Sequence, residues 1–92
     1  PGTYVRELYG DNIEFAGLVA NGRVFRGDKG KYITFLTLGV ENGQYIDITV
    51  KRPFGYHDHD VIWGQGRIRY SNNSEYVECF DVKGYRLENF TK

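Results

Sequence analysis

From Gln44 to Lys51 apolar and polar residues alternate without a break. Ile46, Ile48 and Val50 fall on one face, and Tyr45, Asp47, Thr49 and Lys51 on the other. A two-residue period is that of a strand with one buried face, and it pins the register because a one-residue slip would expose every apolar side chain. The preceding run, about Lys31 to Val40, repeats the pattern, with Leu36, Leu38 and Val40 on one face and Phe35, Thr37 and Gly39 on the other. A first run, roughly Glu14 to Phe25, is longer and carries Gly17 and Gly22, which in a strand interior mark a bulge or a tight bend. Two glycine turns separate the three runs, Arg26-Gly27-Asp28-Lys29-Gly30 and Glu41-Asn42-Gly43.

Pro53 and Gly55 make the segment from Arg52 to Asp60 a loop. A fourth strand is predicted from about Val61 to Tyr70, with Ile62 and Ile68 facing one way and Trp63, Gln65, Arg67 and Arg69 the other. Ser71-Asn72-Asn73-Ser74 reads as a hairpin turn, followed by a fifth strand from about Glu75 to Val82. Lys83-Gly84 is expected to break it, with a last short strand over 85–90. Residues 1–13 read as an N-terminal arm or short extra strand ahead of the domain at 14–92. No window shows sustained helical spacing. Short strands with turns every ten residues or so predict an all-β antiparallel barrel or sandwich, its long first strand kinked so as to serve two sheet edges.

Composition narrows this picture. Ninety-two residues make one domain, and 16% aromatic content with twelve glycines suits short strands and tight turns. Twelve basic residues balance twelve acidic ones, which excludes polyanion binding by bulk charge and leaves only a local basic groove. The single cysteine, Cys79, forms no internal disulfide, and its strand setting without a cationic neighbour argues against a reactive thiolate. With no apolar leader and no apolar stretch near ~20 residues, a reduced cytoplasmic setting without membrane contact is expected.

Few residues suggest enzymatic chemistry. His57 and His59 stand two apart in one loop without a clear third ligand, so a solvated turn is favoured over a metal site. Asp28 and Asp47 lie in separate elements, and no nucleophile elbow, phosphate loop or dinucleotide fingerprint occurs. No catalytic residue, metal or cofactor is expected. The outward faces instead interleave rings and cations: Phe35, Tyr45 and Lys51 on the second and third strands, with Lys31 at their edge, and Trp63, Arg67 and Arg69 on the fourth. Arg26 and Lys29 come from the first turn and Tyr56 from the 52–60 loop. Single-stranded nucleic acid calls for this combination, flat faces for bases and cations for phosphates. Singly, each residue is better explained as a strand former or an edge-protecting charge, and the case rests on their clustering on one side of the barrel.

The order of elements, with Gly22-Arg23 before the first loop and Gly66-Arg67 in the fourth strand, resembles the oligonucleotide-binding (OB) fold of bacterial and phage single-stranded DNA-binding proteins. NGRVFRGDKGKYITFLTLGV is similar to that family's first two strands, YIDITVKR to its third, and VIWGQGRIRY with EYVECFDVKGYRLENF to its fourth and fifth. The resemblance spans about residues 15–90. It implies a five-stranded antiparallel OB-fold barrel with long hairpins between strands one and two (L12) and four and five (L45) and little or no helix. It also implies sequence-independent binding of single-stranded DNA in phage-like replication or recombination. Tyr45 falls at a base-stacking position, Lys51 where a ring is common, and Arg23 and Arg67 at the Gly-Arg pairs. The family's helix between strands three and four is replaced here by the 52–60 loop. The chain ends at Phe90-Thr91-Lys92 without the acidic tail of bacterial members, which likens it to compact phage-encoded ones. A homodimer or higher homo-oligomer is expected, with replication or recombination proteins as further partners. The competing reading is a non-enzymatic β-barrel interaction module of a larger assembly; a carbohydrate-binding barrel is a third.

Overall fold

A computed structural model describes residues 3–57 and 59–85. The described residues form six strands: β1 (Tyr4–Glu7), β2 (Asn12–Arg26), β3 (Tyr32–Gly39), β4 (Tyr45–Val50), β5 (Val61–Ser71) and β6 (Ser74–Tyr85). The helical content among the described residues is two three-residue 3-10 turns, Asp28–Gly30 and Glu41–Gly43. The strand order is β1-β2-β3-β4-β6-β5, and β5 returns to pair with β2. Strands β2 to β6 therefore close into a five-stranded OB-fold-like barrel, with β1 as one added strand.

The long first strand of the barrel makes closure possible. Asn12 to Leu18 of β2 pair with β5, whereas Leu18 to Arg26 pair with β3, and the register shifts between Val19 and Asn21 where one ladder gives way to the other. Gly17 sits at this crossing: a Cβ there would lie 2.8 Å from Leu38 Cβ and 3.0 Å from the Gly39 carbonyl oxygen. Among the described residues all ladders are antiparallel except one. β4 and β6 run parallel over two residue pairs, Ile48↔Val77 and Thr49↔Glu78, and this short junction departs from the all-antiparallel expectation.

The alternation read from the sequence supplies the core. Phe15, Val19, Leu36, Leu38, Ile48, Val50, Ile62 and Val77 all point inward and are buried. Each wall contributes every second residue, as a pleated sheet requires. The segment after β4 covers one end of the barrel. Thr34 Oγ1 donates to the Arg52 carbonyl (2.8 Å) and accepts from the Phe54 amide (3.1 Å), which holds Phe54 and Tyr56 against the core. This loop stands where the resemblance would place a helix.

β1 lies on its own barrel, pairing antiparallel with β2 from Tyr4↔Ala16 to Glu7↔Ile13. Asn72 (φ 51°) and Asn73 (φ 65°) turn β5 into β6 between the paired Ser71 and Ser74. Two successive residues at positive φ make the tight hairpin whose twist matches its strands. Lys83-Gly84 does not break β6. Gly84 pairs with Ile62 and lies so close to it that a Cβ would sit 3.2 Å from Ile62 Cδ1, so this glycine marks a close approach and not a strand end. The last strand expected over 85–90 falls, beyond Tyr85, outside the described residues.

Candidate functional site

The two Gly-Arg pairs share one geometry. Gly22 faces inward, where a Cβ would lie 2.5 Å from Leu36 Cδ2 and 2.8 Å from the Tyr56 ring. Gly66 does the same, 2.5 Å from the Glu78 carbonyl oxygen and 2.6 Å from Val77 Cγ1. Glycine lets the walls approach at both points, and the pleat turns the next residue, Arg23 or Arg67, outward.

The outward residues of one level form a row that crosses all five barrel strands. Arg23 pairs with Phe35, Phe35 with Thr49, Thr49 with Glu78, Glu78 with Arg67, and Arg67 with Asn12. Registered neighbours share a face, so these side chains line up around the outside of the barrel. The first four border a groove of about 590 Å³ between the two hairpins. Ile33, Thr37, Asp47, Lys51 and Tyr76 complete its main walls.

Phe35 is the ring at its centre. The Arg23 guanidinium lies over it, 5.1 Å from the ring centroid, a cation–π contact that covers one face of the ring and sets a cation against it. Across the groove Lys51 Nζ is 2.8 Å from Glu78 Oε2, and Arg69 Nε is 3.4 Å from Glu78 Oε1. The hydrogen bond from Lys51, ahead of its charge, holds the Glu78 carboxyl below the ordinary carboxylate value, and the same contact raises Lys51. Thr37 Oγ1 donates to Asp47 Oδ1 at 2.7 Å. Two cations, Arg23 and Lys51, thus face three carboxylates, Asp47, Glu75 and Glu78, around the groove. Rings and paired charges dominate this surface, not a basic field.

Of the residues expected to act together, Arg23, Phe35 and Lys51 line the groove. Tyr45 stays on the same outward face of β4, 66% exposed, but packs beside Gly39 past the groove's end. Arg26 lies 5.9 Å from the Tyr32 ring centroid, and Lys29 (φ 63°) and Lys31 occupy the exposed tip of the β2–β3 hairpin. Tyr56 does not join them, because it packs against the core under Gly22. Trp63 does not either. It lies half-buried near β1, where its indole Nε1 donates to the Tyr4 hydroxyl at 3.0 Å. Arg67 and Arg69 line a separate hollow beside Tyr9.

Sequence reading missed Tyr76, Glu78 and Phe25. Phe25, 46% exposed, pairs with the groove residue Ile33 and lies on the same side as Arg23 and Phe35, toward the hairpin tip and beyond the groove's lining. Its two-residue spacing from Arg23 was the available signal. Tyr76 and Glu78 come onto this face through the parallel β4–β6 junction.

Other features carry less chemistry. His59 adopts positive φ (68°), and among the described residues no three His, Cys, Asp or Glu side chains gather as a metal would require. Burial pushes the Cys79 thiol up to about 12, which leaves it protonated and unreactive. Among the described residues no helix is long and apolar enough to cross a membrane. No protein-family model matches the chain, and no curated protein is detectably similar to it.

Proposed function

We propose that this barrel binds single-stranded DNA without sequence preference, along the groove between its two hairpins. The observation that carries the reading is the Phe35 ring, set on an outward strand face at the centre of an open groove and flanked by Arg23. A base stacks on Phe35, Tyr76 and Phe25 offer further rings, and Arg23 and Lys51 meet the adjacent phosphates. Stacking is sequence-tolerant because every base has a π-face, and it contributes roughly 1–3 kcal/mol per base. The balance of charges adds a constraint: few counterions are released, so binding weakens only gently with salt. The role this suits is protection of exposed strands during phage-like replication or recombination, as in the family the sequence resembles.

Trp63 lies away from the groove, so its fluorescence is a poor reporter. Anisotropy of an end-labelled oligo-dT, titrated at low salt, is the direct measurement. Saturable binding that Phe35→Ala weakens supports the reading, and no anisotropy change at micromolar protein sinks it.

The second reading, a protein-interaction module, draws on the same carboxylates and on Phe80. This ring falls in the β5–β6 register shift, unpaired and 64% exposed. It predicts no gain in affinity with oligonucleotide length, whereas a stacking groove gains until a site of roughly 4–16 nucleotides is filled.

A further inference from the structure

The row that begins at Arg23 does not stop at the groove. Past Glu78 it reaches Arg67 on β5 and Asn12 on β2. There Tyr9, Asp11, Asn12, Arg67, Ile68 and Arg69 surround a second hollow of about 300 Å³. The turn that forms one wall is pinned from three sides: Leu8 N donates to Asn12 O (2.9 Å), Asn12 N to Tyr9 O (3.2 Å), and Ile68 N to Asp11 O (2.9 Å). Gly10 (φ 64°) closes this turn in a backbone conformation that other residues rarely adopt, and it has open space around it.

Three features of the hollow lack an internal purpose. Tyr9 is 91% exposed, on a turn held rigid beneath it. The Arg67 guanidinium has no ion-pair or ring partner among the described residues. Asn12 Oδ1 is buried with no hydrogen-bond partner among the described residues, in a side chain that lines the hollow. A ring face and an exposed guanidinium are what a nucleotide's base and phosphate engage. The link to the groove is physical. Arg69 lines the hollow and touches Glu78, whose other oxygen holds Lys51 in the groove.

We infer that a strand bound in the groove continues across Glu78 onto a second nucleotide subsite at the β1–β2 turn. There Tyr9 stacks a base and Arg67, with Arg69, holds its phosphate. The inference rests on the reading of the groove as a single-stranded nucleic-acid site and extends it around the barrel. Strand spacing of about 4.8 Å puts the β4 and β5 backbones roughly 10 Å apart across β6, so the two sites are within one continuous strand's reach.

The experiment compares an oligo-dT hexamer with a hexadecamer by anisotropy, on the wild-type chain and on a Tyr9→Ala/Arg67→Ala variant. Arg67→Glu serves as an independent second variant. All three changes are at exposed side chains, and a thermal melt confirms the fold. The expected result is a hexamer affinity unchanged within about twofold and a hexadecamer bound roughly tenfold more weakly. The salt slope for the hexadecamer should become shallower by about 0.7 for each phosphate that the variant no longer neutralises. An equal loss for both lengths, or none for either, overturns the second subsite while leaving the groove intact. Failure of the wild-type chain to bind either length overturns the groove reading, and the second subsite falls with it.

Discussion

Two outward faces of this barrel use nearly the same residue types to opposite ends. On one, Trp63, Tyr4, Arg6, Glu14 and Gln65 form a closed set. Glu14 accepts from the Tyr4 hydroxyl (3.2 Å), Arg6 (2.7 Å) and Gln65 (3.1 Å), and the Trp63 indole donates to Tyr4 (3.0 Å). On the other, Phe35, Arg23, Lys51, Tyr76 and Glu78 line an open groove. The difference is β1. A four-residue strand laid on β2 brings Tyr4 and Arg6 to Glu14 and shelters Trp63, so that ring and carboxylate become part of the structure. Among the described residues no strand covers Phe35. An aromatic ring on a strand face is a site only where the chain leaves it uncovered.

The largest effect that would separate the two faces is Trp63→Ala. Loss of a half-buried indole and of its hydrogen bond should lower stability by about 2 kcal/mol, somewhat under the range for fully buried rings, and oligonucleotide affinity should not change. Denaturant unfolding beside anisotropy measures both. A loss of affinity larger than the stability change explains would place Trp63 in the binding surface after all.

Phe35→Ala should show the reverse. The ring is partly exposed and the core beneath it is built by Leu36 and Leu38, so stability should shift by no more than ~0.5 kcal/mol. Affinity should fall by roughly 1–3 kcal/mol, the contribution of one stacked base. If Phe35→Ala instead destabilises the fold as much as Trp63→Ala, the contrast between the faces disappears.

That contrast marks the limit of what the sequence discloses. Strict alternation over residues 44–51 and the two-face pattern over 35–40 are local properties, so they foretold the core positions of Leu36, Leu38, Ile48 and Val50 and the outward placing of Phe35, Asp47 and Lys51. The long first strand with its irregularity was legible because Gly17 lies where the two ladders meet and Gly22 just past the register shift. Coverage is not local. Trp63 and Phe35 look alike in sequence, and only the docking of residues 4–7, more than fifty positions from Trp63, tells them apart. Glu78 was hidden for a related reason. The register shift at Phe80 resets the alternation of β6, and a parallel pairing of two residues brings Glu78 beside Lys51. Arg67 and Arg69 did point outward as read, but curvature carries that part of β5 round to Tyr9.

Acid sharpens the comparison with a smaller effect. The Gln65 hydrogen bond, more than the Arg6 charge, holds the Glu14 carboxyl below its ordinary value of 4.5. A carboxyl with a lowered folded value stabilises fully above the unfolded value and loses that contribution as pH falls through the folded one. Stability should therefore be flat near neutrality and decline below about pH 4.5, as Glu14 and Glu78 take up protons. Glu14→Gln should lower stability at neutral pH and flatten the acid limb of a melting-temperature profile. An unchanged acid limb would mean that β1 is held by its backbone ladder alone.

Glu78→Gln has the smallest expected effect and tests the groove's electrostatics most directly. Glu78 occupies Lys51 and Arg69 at once, and both pairs are solvent-accessible, so their net contribution to stability is small. Removing the charge frees two cations for phosphates while keeping a side chain of the same shape. Oligonucleotide affinity at low salt should rise a few-fold, and the salt dependence should steepen by about 0.7 to 1.4, as one or two more phosphates are neutralised. Because Arg69 borders the second hollow, the gain should be larger for the hexadecamer than for the hexamer. A variant that binds more weakly at every salt concentration would show instead that Glu78 positions Lys51 for the strand. The carboxylates around the groove would then be part of how it grips a ligand, and not a brake on it.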